Sequence, residues 1–327
     1  MDKDLNNNLL SKVLESIPEH ISAATYLTEL LGLSQGSAYR RLKGEIPFTL
    51  YEVYKLSNAL DFSVDEIFGL TKRKLAIHDN RISEEFSPSN AFYSTLEIFY
   101  NEINFLSEGN DSYTIHAQNR IPLILAIFYP HLFRFFYYKW THQLGAGRLR
   151  SYSFSDTVIP QDIMDLSNKI LSYTGKIGSH IYILNREVYM NIMKEIQYYF
   201  KRRLISEDEL NLLKSDLSKI IEDTEEFSYK GVDRFGDPIS IYLSSFNIES
   251  NSIYAYSGGH SVSYFYPYTT NPMIIRNVEI CTIHKNWLES LKKYSILITQ
   301  SNEELMSEFF SQQLDHVANM HKITYYE

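Results

Sequence analysis

Three cations stand within four residues in LGLSQGSAYRRLKGE, residues 31–45: Arg40, Arg41 and Lys43. A guanidinium presents a planar fork of donors that fits a phosphate or the acceptor edge of a guanine, and a lysine presents a compact positive charge. Just ahead of them stand Ser34, Gln35, Gly36 and Ser37. Small residues permit close approach to a partner, and serine and amide side chains can hydrogen-bond to it. Tyr39 could meet a phosphate or a thymine methyl. This is chemistry for recognising an anionic, hydrogen-bonding surface.

Other reactive residue types are scattered. After residue 90 come His116, His131, His142, His180, His260, His284, His316 and His321. No pair has metal-ligand spacing beside a cysteine or carboxylate, and His316 and His321 do not share a helix face. They read as surface or core histidines. Cys281, the single cysteine, reads as a small core residue in a strand. The Ser-Gly-Gly at 257–259 lacks the lysine of a phosphate-binding loop and reads as a turn. Asp233 and Asp237, in GVDRFGDP, read as turn acids. We therefore expect no catalytic set, no metal site, no cofactor and no enzyme. Aromatic residues remain: Tyr137 and Trp140 in the segment 128–140, and Tyr264 and Tyr266 in YFYPYTT. Such residues can line a small-molecule pocket. They also build aromatic cores and dimer interfaces, which is the simpler reading.

The cationic stretch needs elements to hold it. Leu9, Leu10, Val13, Leu14 and Ile17 recur at helical spacing over 5–17, and Pro18 stops that helix. ISAATYLTELL predicts a second helix, with Ser22 as N-cap and Gly32 just past its end. Ser34 caps a third, QGSAYRRLK, ended by Gly44. Thr49 and Glu52 form a capping box for a fourth, and Ser63 with Glu66 a box for a fifth. On the third helix, Ala38 and Leu42 share the buried face. Tyr39 and Arg41 flank it, and Gly36, Ser37, Arg40 and Lys43 point away. Arg41 is either a backbone contact at the edge of a groove or the mark of a slightly rotated register.

Beyond a polar, aperiodic linker at 71–90 the texture changes. Helices are predicted over 91–106, in the aromatic segment 121–140, after Pro160, and in two amphipathic stretches between 186 and 226. Ser206 and Glu209 form another capping box. Strands are predicted at 111–119, 180–185, 239–248, 252–259 and 261–268, in VEICTIH (278–284), and at SILITQS, which leads into a closing helix. The segments 239–248 and 252–259 are expected to pair as a hairpin across Glu249–Asn251. The fold class is α+β overall: an all-α five-helix domain at 1–70, the linker, and a larger mixed α/β domain at 91–327.

Charge divides the chain unequally. Net charge is −9 over 327 residues. Residues 1–75 hold 9 basic and 10 acidic side chains, and the remaining 22 basic and 30 acidic give −8. The larger part should therefore repel phosphate. One cysteine permits no intrachain disulfide, and the N-terminus does not look like a signal peptide, so a cytoplasmic protein is expected. The apolar stretch 121–140 carries Pro122, Pro130, His131 and Arg134, which favours a kinked buried helix over a membrane span.

The order of helix, tight turn, capped cationic helix and two further capped helices resembles the XRE/Cro family of repressor-like helix-turn-helix domains. LGLSQGSAYRRLKGE and PFTLYEVYKLSNALDFSVDEIFG carry the resemblance, over about residues 5–70. It implies a transcriptional regulator that binds double-stranded DNA through Ser34, Gln35, Gly36, Ser37, Tyr39, Arg40, Arg41 and Lys43. It also implies a homodimer, since one such helix makes few contacts. The larger domain resembles, loosely, regulatory domains of bacterial regulators, and a small-molecule or protein effector would act there. The alternative is a helical protein-interaction module fused to a ligand-binding or undetected enzymatic domain.

Overall fold

The computed structural model describes residues 2–17, 21–60, 62–67, 87–109, 111–144, 152–173, 176–267 and 272–320. The stop at Pro18, most of the linker, the Glu66 side chain and the turn at 145–147 lie outside them. The fold is α+β, and the chain divides into two compact units, 1–77 and 78–327.

The first unit contains α1 (Asp2–Ser16), α2 (Ala23–Leu31), α3 (Gln35–Leu42), α4 (Leu50–Ala59) and α5 (Val64–Ile67). Several of the predicted boundaries have a local cause. Ser22 Oγ accepts from the Thr25 N–H at 3.2 Å and starts α2. Gly32, at φ +69°, ends it in a left-handed conformation that glycine adopts without strain. The Ser34 side chain then accepts from the Ser37 N–H and opens α3. Leu9, Val13, Leu27, Ala38, Val53 and Leu56 close a small core beneath these helices.

The second unit is built on a seven-stranded sheet of order β6-β5-β4-β1-β2-β3-β7. Its strands are β1 (Tyr113–Gln118), β2 (Ser179–Leu184), β3 (Ile239–Ser244), β4 (Ser252–Ser257), β5 (His260–Phe265), β6 (Met273–Ile275) and β7 (Ser295–Leu297). β1, β2 and β3 run parallel, and the other pairings are antiparallel. Parallel neighbours require long crossovers. Here α7 (Leu123–Ala126), α8 (Pro130–Leu144) and α9 (Gln161–Leu171) lie between β1 and β2, and α10 (Met190–Lys201) and α11 (Glu207–Lys230) between β2 and β3. A helix α6 (Pro88–Ser107) precedes β1, so helix occupies the end of the predicted linker. One sheet face packs against these helices and the closing α13 (Glu303–Ala318), in the core that includes Phe92, Leu132, Ile241 and Phe310. The other packs Ile115, Ala117 and Ile183 against Cys281, Leu288 and Leu291 of α12 (Val278–Lys293).

Three expectations are corrected. VEICTIH is not a strand but the start of α12, capped by the Asn277 side chain, and Cys281 is a helical core residue. Its seven residues are rich in β-branched types, but Cys281, His284, Leu288 and Leu291 repeat at helical spacing once the window extends to Lys293. The expected hairpin across 249–251 does not form. β3 pairs with β2 and β7, and β4 pairs with β1 and β5. The cause is Asn251, whose Oδ1 accepts from Asn119 N–H at 2.9 Å and whose Nδ2 donates to the Arg120 carbonyl at 3.0 Å. That tie brings the connection across to the end of β1. The hairpin that does form, β4–β5, turns at Gly258–Gly259. The aromatic segment is two helices instead of one kinked helix. Pro130 begins α8, and Asp216 of α11 accepts from His131 N–H at 2.7 Å and Leu132 N–H at 3.0 Å. Among the described residues no helix is long and apolar enough to cross a membrane.

Candidate nucleic-acid interface

The presented helix α3 is held from below by Ala38, fully buried, and by Leu42, half-buried. Its outer surface carries Gln35, Gly36, Arg40 and Lys43, all exposed, with Tyr39 51% exposed. Ser34 is exposed and occupied as the cap. Arg40 meets Glu45 at 3.5 Å with both side chains mostly in water, a contact of little strength. It leaves the guanidinium able to turn to another anion.

Arg41 lies elsewhere. It is 8% exposed and forks onto Glu52 of α4, Nε to Oε2 at 3.0 Å and Nη2 to Oε1 at 2.8 Å. Its Nη1 donates to Ser37 Oγ at 2.7 Å. Arg41 is thus turned inward, off the presented face, and Ser37 is half-buried with its hydroxyl engaged. Glu52 has two tasks. Its Oε2 also accepts from the Thr49 N–H at 2.8 Å, the return bond of the capping box that opens α4. Burial pushes its carboxyl up, but the Thr49 N–H and the Arg41 guanidinium outweigh burial and hold it below the usual 4.5. One carboxylate therefore starts α4 and fixes the roll of α3.

The four aromatic residues singled out in the second unit do not share a pocket. Tyr137 hydrogen-bonds Ser89 Oγ at 2.7 Å and stacks edge-on against Phe92 at 5.1 Å. Trp140 Nε1 donates to the Pro88 carbonyl at 2.6 Å. Both fasten α8 to α6. Tyr264 and Tyr266 are buried, and burial raises both hydroxyl pKa values well above 10. Trp140 and Tyr266 line a cleft of about 470 Å³ with its mouth, whose lining includes neither Tyr137 nor Tyr264. The structure also assembles what spacing concealed. His180 of β2 and the loop acids Asp233 and Asp237 each bring one ligand-type atom within 4.8 Å of the others. Asp233 does close a turn, accepting from Phe235 N–H at 2.8 Å and Asp237 N–H at 3.0 Å. The histidine comes from more than fifty residues away, so no local motif announced the cluster.

A capped helix, a glycine turn and a second capped helix with an exposed cationic face make the first unit a helix-turn-helix-like domain. Residues 9–80 match the family model described as the BetR domain, a helix-turn-helix-like DNA-binding family found in regulators. The match covers about a fifth of the chain. No curated protein and no solved structure matches it.

Proposed function

We propose that the chain is a sequence-specific, DNA-binding transcriptional regulator of the cytoplasm, with a helix-turn-helix of XRE/Cro type. The observation that carries this is the exposed face of α3, set by a buried ion pair and lying within the matched family segment. Gln35, Gly36, Tyr39, Arg40 and Lys43 enter the major groove, where Arg40 and Lys43 reach phosphates or guanine edges. Ser34 and Arg41 act indirectly, as cap and as clamp. The second unit dimerises and senses a signal, and has no catalytic role. Dimerisation is supported by Ile283 and Trp287, exposed four residues apart on α12, and by exposed Tyr294 at its C-cap, with exposed Phe246 and Ile296 near that end.

The reading of the first unit as a protein-interaction module is favoured by one feature, the exposed Leu50, Tyr51 and Tyr54 of α4. Salt separates the two. Duplex binding through released counterions weakens steeply as salt rises, and a module for proteins has no duplex affinity at low salt.

A further inference from the structure

Central parallel strands ordinarily carry apolar residues on both faces. β1 and β2 break that rule on one face, with Thr114, His116 and Gln118 beside His180 and Tyr182. These side chains floor a cavity of about 1330 Å³ including its mouth, roofed by α6, α7, α9 and α11. Its walls are apolar, with Phe99, Leu125, Phe128, Ile170 and Ile220 among them. An apolar chamber with a few convergent polar groups is the ordinary form of a small-molecule site.

The floor is a hydrogen-bond relay. Thr114 Oγ1 lies 2.7 Å from His116 Nε2 and 2.7 Å from His180 Nδ1. Burial lowers both imidazole pKa values, for His116 with His180 adding to it, and for His180 against the pull of Asp233 and Asp237. At 7% and 5% exposure, and with no carboxylate of the described residues within hydrogen-bond reach of either ring, both imidazoles are assigned the neutral form with one N–H each. A hydroxyl has one proton, so Thr114 donates to one ring and accepts from the other. The two outer nitrogens, His116 Nδ1 and His180 Nε2, must then be opposite in kind: one N–H donor and one bare acceptor. Both are buried, and neither has a hydrogen-bond partner among the described residues. His180 Nε2 stands 4.0 Å from Asp237 Oδ2, beyond hydrogen-bond reach. A buried donor and acceptor left open in this way call for an occupant.

Charge narrows the occupant. Asp233 and Arg234 also line the chamber. The Arg234 guanidinium is already engaged by Tyr129 Oη at 3.0 Å and Asp223 at 3.4 Å, and Asp233 has no comparable cation in the cavity lining. Two backbone N–H groups reach the Asp233 carboxylate, but no cation in the lining pairs with it, and Glu102, the other carboxyl of the lining, is itself pushed up to about 8 by burial, so the chamber disfavours an anionic head.

We propose that this cavity binds an uncharged, mainly apolar small molecule whose head carries one hydrogen-bond donor and one acceptor, seated on His116 and His180. This gives a site and a ligand class to the sensing proposed above and rests on that reading for its purpose. Uptake is measured without DNA, so its failure leaves DNA recognition standing, and the reverse holds too.

Isothermal titration of the full chain with octanamide, 1-octanol and octanoate tests it. Octanamide and 1-octanol should bind one per chain, with octanoate about tenfold weaker or worse. His116→Phe should weaken octanamide roughly tenfold by removing one hydrogen bond. Leu125→Trp, which fills the chamber from its wall, should abolish uptake with an unchanged circular-dichroism spectrum, and it keeps the test decisive if His116→Phe fails to fold. The proposal is overturned if no probe binds up to its solubility limit, or if octanoate binds as tightly as octanamide. It is also overturned if either variant binds like wild type. Stoichiometric uptake of Zn²⁺ at His180, Asp233 and Asp237 with no organic probe bound would equally overturn it.

Discussion

Arg41 and Glu52 show how one buried pair can decide what a neighbouring surface presents. Breaking such a pair leaves the surviving charge without its partner, which is costly when buried. At this site, near the edge of a small unit, Glu52→Gln should lower stability by about 2 kcal/mol. Replacing both partners by Arg41→Met and Glu52→Leu should recover most of that loss, which urea unfolding of the full chain can resolve. The pH dependence has a definite sign. The Glu52 carboxyl is held below 4.5, so its contribution is complete above that value and is lost as pH falls from there through the lower value of the folded state. Glu102 has the opposite sign. Burial pushes its carboxyl up to about 8 from the usual 4.5. Between those values the unfolded chain binds fewer protons than the folded one, so stability falls as pH rises through the window. Glu102→Gln should flatten that slope in urea titrations run across the window. At this scale the sequence was half legible. The caps Ser22, Ser34, Thr49 and Ser206 act through neighbours three residues away, and each could be read locally. The partner of Arg41 lies eleven residues off on another helix, and Glu52 already had a local role that hid its second one.

Among the elements, periodicity worked where a segment was long enough to show its period. The amphipathic α11, with its Ser206–Glu209 box, and the closing α13 follow this rule. A seven-residue window on α12 did not contain enough turns. Strand pairing was less legible, because alternation says that a strand has two unlike faces and not which strand lies beside it. Asn251 decides that for β4 through long-range bonds to Asn119 and Arg120. The polar floor on β1 and β2 was hidden for the same reason, since its histidines come from strands separated by three helices. The start of β2 depends on a close approach. Gly178 has φ +105°, and a Cβ there would stand 2.0 Å from the Ser112 carbonyl oxygen. Gly178→Ala should therefore lower the melting temperature of the second unit, and a calorimetric scan that matches wild type would contradict this account of the β1–β2 edge.

Across the whole molecule the charge is partitioned. The −8 of the larger part leaves the first part, at −1, as the segment suited to phosphate. A near-neutral domain with two exposed cations, Arg40 on its reading helix and Lys43 at the C-cap, makes few contacts, which is why a second copy matters. Trp287→Glu places a charge beside the exposed Ile283 of α12. It should shift the chain toward monomer in sedimentation velocity and weaken its apparent affinity for DNA. An unchanged sedimentation profile would remove α12 from the interface. The central claim is that α3 meets duplex DNA through Arg40 and Lys43. Fluorescence anisotropy of the full chain on a labelled duplex, from about 50 to about 200 mM salt, tests it most directly. Affinity should fall linearly on logarithmic axes. The double variant Arg40→Ala with Lys43→Ala should bind roughly ten- to a hundredfold more weakly, with a salt slope shallower by about two. Binding that is absent at low salt, or identical in the variant and the wild type, would contradict the account.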